Sequence, residues 1–223
     1  MTKKILSIVA ILAVAVGVYY LFFKDNKQTF IDYKEPTLTA EEKTQAEQKL
    51  KEAQDRVSNL PHDASNEERY NALTFLGNQY YLLGRLKEAR DIYLQTTEVE
   101  PDNYSGWANL AAVETDMGDL RSAHKHLIKA TEKTFRPDPW KWLIDFEKER
   151  LGASPARLEE LYLESIEKTK GFGPDMLKHY AIFLEQEKGD LRGALTYWKK
   201  AQEQLPNSES IKAEIERLES LIQ

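Results

Sequence analysis

Four histidines are the first candidates for chemistry in this sequence, because imidazole binds metal ions and exchanges protons near neutral pH. They are His62, His124, His126 and His179. His124 and His126 lie two positions apart on a predicted helix, so their rings point in different directions. No further histidine or carboxylate falls at a spacing that would complete a metal site with them. We therefore interpret the histidines as solvated and predict no metal and no cofactor.

Paired carboxylates are the second candidates, at Glu41-Glu42, Glu67-Glu68 and Glu159-Glu160. On acidic helices such pairs typically lie on solvated faces. The loop Gly171-Phe172-Gly173-Pro174 lacks both G-x-G-x-x-G and G-K-[ST], so we interpret it as a connector and not as a phosphate site. No G-x-S-x-G nucleophile motif occurs either. The sequence therefore favours a binding protein and not an enzyme.

Composition narrows the class of protein further. The chain has 223 residues and a formal net charge of −6, which argues against a general nucleic-acid surface. It contains no cysteine, which excludes disulfides, thiolate metal sites and cysteine catalysis. The length suits one membrane segment followed by one domain.

An uncharged run of 19 residues spans positions 5–23. As a helix it would be about 28 Å long, close to the ~30 Å hydrocarbon core of a bilayer. Tyr19 and Tyr20 lie near one end, where aromatic rings favour the membrane interface. We predict an uncleaved transmembrane signal-anchor. The alternative is a signal peptide cleaved after Ala13-Val14-Ala15.

Charges on the two flanks of this run bear on its orientation. Lys3 and Lys4 favour a cytoplasmic N-terminus, but Lys24, Lys27 and Lys34 on the other flank nearly balance them. We expect a single-pass membrane protein whose following domain is extracytoplasmic, on the periplasmic or outer face. A cytoplasmic domain is the alternative.

A six-residue turn motif occurs three times in the sequence, and it predicts the helices that would position any binding residues. It reads Gly84-Arg-Leu-Lys-Glu-Ala89, Gly118-Asp-Leu-Arg-Ser-Ala123 and Gly189-Asp-Leu-Arg-Gly-Ala194. The first two copies lie 34 residues apart, and Gly152 follows Gly118 at the same interval. A fixed period of this length indicates stacked helix pairs. The glycine would end the first helix of each pair in a left-handed conformation, and Asp119 and Asp190 would cap the second.

The period extends beyond the turn. Leu73-x-x-Leu76-Gly77-x-x-Tyr80 and Trp107-x-x-Leu110-Ala111 precede the first two turns. A large residue follows each glycine by nine positions: Tyr93, Leu127, Leu161 and Trp198. Over about residues 70–208 this pattern resembles the tetratricopeptide repeat (TPR). The resemblance implies an all-α, TPR-like α-solenoid of helix-turn-helix repeats, here preceded by one N-terminal transmembrane helix.

We divide the chain on this basis. The segments are an anchor at 1–24, a tether at 25–38, a leading helix at 39–61 that packs on the first repeat, and an array at 62–223, with repeats at about 70–103, 104–137, 138–174 and 175–208 and a capping helix at 209–223. The third repeat is divergent because Arg157 stands where the others have a close-packing alanine. The apolar stripe of the leading helix could alternatively mediate dimerisation.

The resemblance also implies a groove lined by the first helices. The candidates are Asn71, Phe75, Asn78, Asn109, Trp142, Phe146, His179, Tyr180 and Phe183. Asn78 and Asn109 match two positions of the family's carboxylate clamp, but its basic partners are missing. An aromatic groove with amide donors better suits an extended or helical peptide. For Trp142 and Phe146 the alternative is burial between helices.

These features predict a membrane-anchored scaffold or co-chaperone of bacterial type that binds a protein or peptide partner. Two alternatives remain open. One is a cytosol-facing receptor, on an organelle or inner membrane, for client targeting segments. The other is a homo-oligomeric structural element.

Overall fold

The computed structural model describes residues 38–222, which form ten α-helices and no strand. The helices are α1 Ala40–Ser58, α2 Asn66–Leu82, α3 Leu86–Val99, α4 Tyr104–Asp116, α5 Leu120–Glu132, α6 Asp138–Glu149, α7 Pro155–Lys168, α8 Asp175–Lys188, α9 Leu191–Gln204 and α10 Glu209–Ile222. The predicted membrane span at 5–23 and most of the predicted tether lie outside these residues. Between Leu38 and Ile222, no helix combines the length and apolar character needed to cross a bilayer.

Each helix packs mainly on the helix before it and the helix after it. Four antiparallel pairs result, α2 with α3, α4 with α5, α6 with α7 and α8 with α9, and α1 and α10 cover the two ends. We call α2, α4, α6 and α8 the first helices and their partners the second helices. This consecutive stacking is the helical-repeat arrangement that the 34-residue period predicts.

Turn glycines separate the helices of each pair, as the sequence predicts. Their φ angles are positive: 70° at Gly84, 77° at Gly118, 62° at Gly152 and 65° at Gly189. The carboxylates of Asp119 and Asp190 then accept hydrogen bonds from the backbone N–H groups of Ser122 and Gly193. Both predicted N-caps are therefore confirmed, and they set where α5 and α9 begin.

Capping boxes begin α1 and α2. The Thr39 hydroxyl accepts from the Glu42 N–H while the Glu42 carboxylate accepts from the Thr39 N–H, and Ser65 and Glu68 repeat the arrangement. Each box satisfies two backbone donors that would otherwise lack partners. Thr39 and Ser65 therefore define the starts of these helices.

Small residues let the helices of three pairs approach closely. Ala89, Ala123 and Ala194, at the start of α3, α5 and α9, are completely buried. In the first pair the closest approach is at Gly77, where an added Cβ would lie only 2.6 Å from Cε1 of Tyr93. No side chain larger than hydrogen fits there unless the Tyr93 ring moves.

The third pair departs from this pattern, as predicted. At the start of α7 the inward residue is Leu158, which is 3% exposed, and Arg157 beside it is exposed. A leucine keeps the two helices further apart than an alanine does, and α6 and α7 are the least closely packed of the four pairs. The connection between them, residues 150–154, is also longer than in the first two pairs.

The end helices use apolar stripes. Leu50 and Ala53 of α1 pack against Leu76 of α2, which covers the open end of the first pair. On α10, Ile211, Ile215 and Leu218 are buried, as their helical spacing predicts, whereas Leu221 is exposed.

Candidate functional site

The buried positions of the first helices define their true register. Leu76, Leu110, Leu143 and Tyr180 take the same place in α2, α4, α6 and α8, and all four are buried. Their spacings are 34, 33 and 37, whereas the turn glycines are spaced by 34, 34 and 37. Both α6 and α8 therefore lie one residue further from their turn glycine than α2 and α4 do. Counting from the glycine assigns the wrong face to side chains of these two helices.

One row of predicted residues follows this register along the array. The residue just before each of these buried positions is Phe75, Asn109, Trp142 or His179. All four side chains are half-buried. We call this set the first-helix row, and we call the surface formed by α2, α4, α6 and α8 the first-helix face.

Three other candidates lie in the core. Phe146 is completely buried, and Tyr180 and Phe183 are each 4% exposed. Phe146 and Phe183 occupy the place that the buried Val113 takes in α4, three residues after the core position defined above. These three side chains do not line an open surface, and the one-residue difference in register is the reason.

The remaining two candidates are exposed on α2. Asn71 and Asn78 lie two turns apart on the first-helix face. The Asn78 Oδ1 accepts a hydrogen bond of 2.7 Å from the hydroxyl of the buried Tyr93. This bond fixes the orientation of the Asn78 amide, so its side chain serves packing as well as any binding role.

Side chains of successive first helices meet on this face. The Tyr81 hydroxyl of α2 donates a hydrogen bond to the Asp116 carboxylate of α4, and Lys148 of α6 forms a 2.6 Å ion pair with Glu187 of α8. Burial raises the pKa of Asp116 above its ordinary value, and the bond from Tyr81 opposes that rise. The face is therefore a continuous surface across consecutive pairs.

The two halves of the face differ in charge. Apart from Asp116, whose carboxylate is bonded to Tyr81, the polar residues of this face on α2 and α4 carry amides and hydroxyls: Asn71, Thr74, Asn78, Ser105 and Asn109. On α6 and α8 they are mostly charged: Asp138, Lys141, Asp145, Asp175, Lys178 and His179. Uncharged amides suit hydrogen bonds to a peptide backbone, whereas the charged half can select side chains.

Two titratable groups of the charged half have strongly shifted pKa values. Burial and the neighbouring Glu149 raise the pKa of Asp145 to about 7, against opposition from Lys148 and Lys141. Burial and the positive charge of Lys141 lower the pKa of His179 to about 4. At neutral pH His179 is therefore uncharged, and Asp145 is close to half-protonated.

The interpretation of His124 and His126 as solvated residues is wrong. The His126 Nδ1 lies 2.7 Å from Glu114, and the His124 Nε2 lies 2.9 Å from Glu147. Both carboxylates are about 5% exposed. The rings do point in different directions, one towards α4 and the other towards α6.

Glu147 is the centre of a group of polar contacts that joins α5, α6 and α7. Besides His124, it accepts two hydrogen bonds of 2.9 Å from the Arg157 guanidinium. Burial alone would raise the pKa of Glu147, but the bonds from Arg157 and His124 outweigh that effect and hold it below its ordinary value. The sequence could have indicated these buried pairs, because Glu114 and Glu147 take equivalent positions among apolar residues that face the core.

No family model matches the sequence, and no curated protein matches it. Solved structures of similar fold do exist. MamA is 16% identical, with a TM-score of 0.50, over 77% of this chain and 97% of its own. The human IFIT1 dimer with PPP-AAAA is 16% identical, with a TM-score of 0.51, over 82% of this chain and 43% of its own. A thermophilic TPR protein of Thermus thermophilus is 16% identical, with a TM-score of 0.47, over 78% of this chain and 91% of its own.

The chain thus spans less than half of the IFIT1 chain and nearly all of the MamA chain. At these identities the likeness to MamA and to the IFIT1 chain concerns the fold alone. Together with the stacked pairs and their turn glycines, it defines residues 38–222 as an all-α helical-repeat structure of TPR-like fold.

Proposed function

We propose that the chain is a scaffold that binds a protein or peptide partner on its first-helix face. The observation that carries this proposal is the first-helix row, in which Phe75, Asn109, Trp142 and His179 recur at equivalent positions and stay half-buried. Two of the four positions hold large aromatic side chains, a residue type that is enriched at protein interfaces, and the other two hold an amide and an imidazole. A repeated row that combines partial exposure with aromatic and amide chemistry is typical of a surface that receives a partner.

The partner that fits this face is an extended or helical peptide segment. Asn71 and Asn109 offer donors and acceptors for a peptide backbone, and Trp142 offers apolar area with a polar edge. The face crosses four helix pairs, which suits a segment of several residues and not a small molecule.

Attachment to a membrane is the second part of the proposal. It is supported by the uncharged run at 5–23, whose length matches the bilayer core. The array would then hold its partner near the bilayer, on the extracytoplasmic side of a bacterial membrane. Protease protection of a tag placed after Gln223 in sealed vesicles tests this orientation. Cleavage from the cytoplasmic side would instead support the receptor alternative.

Affinity capture from native membranes tests the binding face. We would compare the wild-type full-length chain with a variant carrying Asn71→Ala, Asn109→Ala and Trp142→Ala. A matched control carries Leu94→Ala and Leu163→Ala, two exposed leucines of the second helices α3 and α7. Circular dichroism must show the same helix content in all three.

The proposal expects a partner that the wild type and the control retain and the face variant loses. Retention by all three chains would place the binding surface elsewhere. Loss by the control alone would move it to the second helices.

A further inference from the structure

One carboxylate on the first-helix face has no partner among residues 38–222. Within residues 38–222, Asp145 of α6 accepts no hydrogen bond and forms no ion pair, although its side chain is half-buried. Neighbouring carboxylates are satisfied: Glu187 pairs with Lys148 at 2.6 Å, and Glu159 accepts from Tyr180 and Lys188. A half-buried carboxylate without a partner is costly to keep.

Tyr162 of α7 reaches the same place from a second helix. Its ring centroid lies 5.6 Å from that of Tyr180 and 5.0 Å from that of Phe183, so an aromatic cluster of α8 supports it. Burial raises the pKa of Tyr162, and the charges of Asp145 and Glu187 raise it further. Tyr162 follows the inward Leu158 by four residues, as Tyr93 follows Ala89, so it takes the place of Tyr93, whose hydroxyl contacts Asn78 at 2.7 Å. The same register places Asp145 at the position of Asn78 and therefore beside Tyr162, whose hydroxyl has no hydrogen-bond partner among the residues described.

The lysines on α6 do not fill this gap. Lys141 pairs with Asp138 at 3.1 Å, and Lys148 pairs with Glu187 at 2.6 Å. Their charges act on Asp145 only from a distance. The remaining charged group of α6 near Asp145 is Glu149, which has the same sign. Among residues 38–222, therefore, no cation contacts Asp145, and an aromatic ring lies beside it.

We propose that Asp145 and Tyr162 form a subsite for a lysine or arginine side chain of the partner. The Asp145 carboxylate would accept charge-assisted hydrogen bonds from the cationic group, and the Tyr162 ring would supply a negative face. The subsite rests on the proposed function, since it assumes that the partner occupies the first-helix face. The raised pKa of Asp145 is consistent with it, because a cation in contact would restore the ionised form.

The equivalent residue of the first pair shows that packing does not require this carboxylate. Asn78 takes the place of Asp145 in α2, and its carbonyl oxygen accepts the Tyr93 hydroxyl. An uncharged amide therefore suffices at this position of the fold. The charge at Asp145 is consequently better explained by a ligand than by the structure of the pair.

A synthetic peptide array tests the subsite. Acetylated and amidated eight-residue peptides of random sequence are probed with the full-length chain in detergent micelles, as wild type and as Asp145→Asn. Asp91→Asn is the matched control, because Asp91 is an exposed aspartate of the second helix α3. We expect wild type and control to select peptides with lysine or arginine at one fixed position. In Asp145→Asn the preference for a basic residue at that position should fall about tenfold.

The outcomes separate the subsite from the proposed function. If wild type and Asp145→Asn select the same peptides with the same basic preference, the subsite is overturned while peptide binding stands. If no chain selects any peptide, recognition of a short linear segment on this face is refuted and the subsite with it, while binding of a folded partner is decided by the affinity capture described above. Selection of acidic peptides by the wild type would also overturn the subsite.

Two further measurements keep the test independent of folding defects. Asp145→Lys, if its circular dichroism matches the wild type, should reverse the preference and select aspartate or glutamate at that position. Carbon NMR of the Asp145 carboxyl should show a pKa that falls by at least one unit when a selected basic peptide binds. An unchanged Asp145 pKa in the complex would contradict direct contact.

Discussion

The first and third helix pairs solve the same packing problem in opposite ways. In the first pair, Gly77 lets the Tyr93 ring lie directly on α2, and Ala89 is completely buried between the helices. In the third pair, Leu158 occupies the start of α7 and the helices are further apart. In the third pair an ion pair links the two helices, because the Arg157 guanidinium of α7 donates two hydrogen bonds to the Glu147 carboxylate of α6.

The difference affects how each pair responds to change. Close packing of small residues tolerates no added volume, whereas an ion pair tolerates volume but not the loss of one partner. The third pair also carries Asp145, which has no partner in the described part of the chain, where the first pair carries Asn78, whose Oδ1 accepts a hydrogen bond from Tyr93. We therefore expect the first pair to provide the more rigid support and the third pair to contain the more specialised binding surface.

The largest expected effect is at Glu147. Replacing Glu147 with alanine removes the acceptor of both Arg157 and His124 and leaves a cavity beside the buried Phe146. We expect a loss of about 3 kcal/mol in the free energy of unfolding, measured by urea unfolding with circular dichroism. Arg157 is partly exposed and can be solvated, which limits the loss.

Glu160→Ala is the matched control. Glu160 also accepts a hydrogen bond from Arg157, at 3.3 Å, but it is largely exposed. Such surface pairs contribute about 0–1 kcal/mol. Equal losses for the two variants would show that burial of Glu147 is not what makes this pair important.

A smaller effect is expected at Gly77. Gly77→Ala places a Cβ against the Tyr93 ring and should cost about 2 kcal/mol by overpacking. The second pair supplies the rescue, because it combines Ala111 with Leu127 at the equivalent positions. Adding Tyr93→Leu to Gly77→Ala should therefore cost less than the two single changes together. Strict additivity in this double-mutant cycle would contradict direct contact as the cause.

Much of this fold could be predicted from particular residues. The turn glycines, Asp119, Asp190 and the Thr39 box are local signals, since each depends on backbone geometry within a few residues. They placed the helix ends correctly. The same glycines misplaced Phe146 and Tyr180, because α6 and α8 lie one residue further from their glycines and the tertiary packing sets that distance.

The residues of the first-helix face were predicted in part. Phe75, Asn109, Trp142 and His179 lie on this face because an error of one residue in register does not remove every predicted residue from it. The role of Asp145 could not be predicted, since its unpaired state depends on where Lys141 and Lys148 find their partners. His124 and His126 were misjudged for the same reason, because their partners lie on neighbouring helices.

The smallest effect is expected at Asp145, and it depends on pH. In the folded chain its pKa is about 7, whereas its ordinary value is 3.8. Between these two pH values the folded state binds more protons than the unfolded state, so the contribution of Asp145 to stability falls as the pH rises from about 4 to about 7. Asp145→Asn removes this dependence, and the variant should be about 1–2 kcal/mol more stable than the wild type at pH 8.

The test compares urea unfolding of Asp145→Asn with that of the wild type at pH 5 and pH 8. The stabilisation should be present at pH 8 and much smaller at pH 5, where the wild-type carboxyl is largely protonated. Asp91→Asn, at an exposed position, should show no such difference. A variant that is more stable and yet binds basic peptides less well would indicate that the third pair sacrifices stability for binding at Asp145. If Asp145→Asn and the wild type are equally stable at both pH values, water solvates this carboxylate fully. The difference between Asp145 and Asn78 would then have no effect on stability.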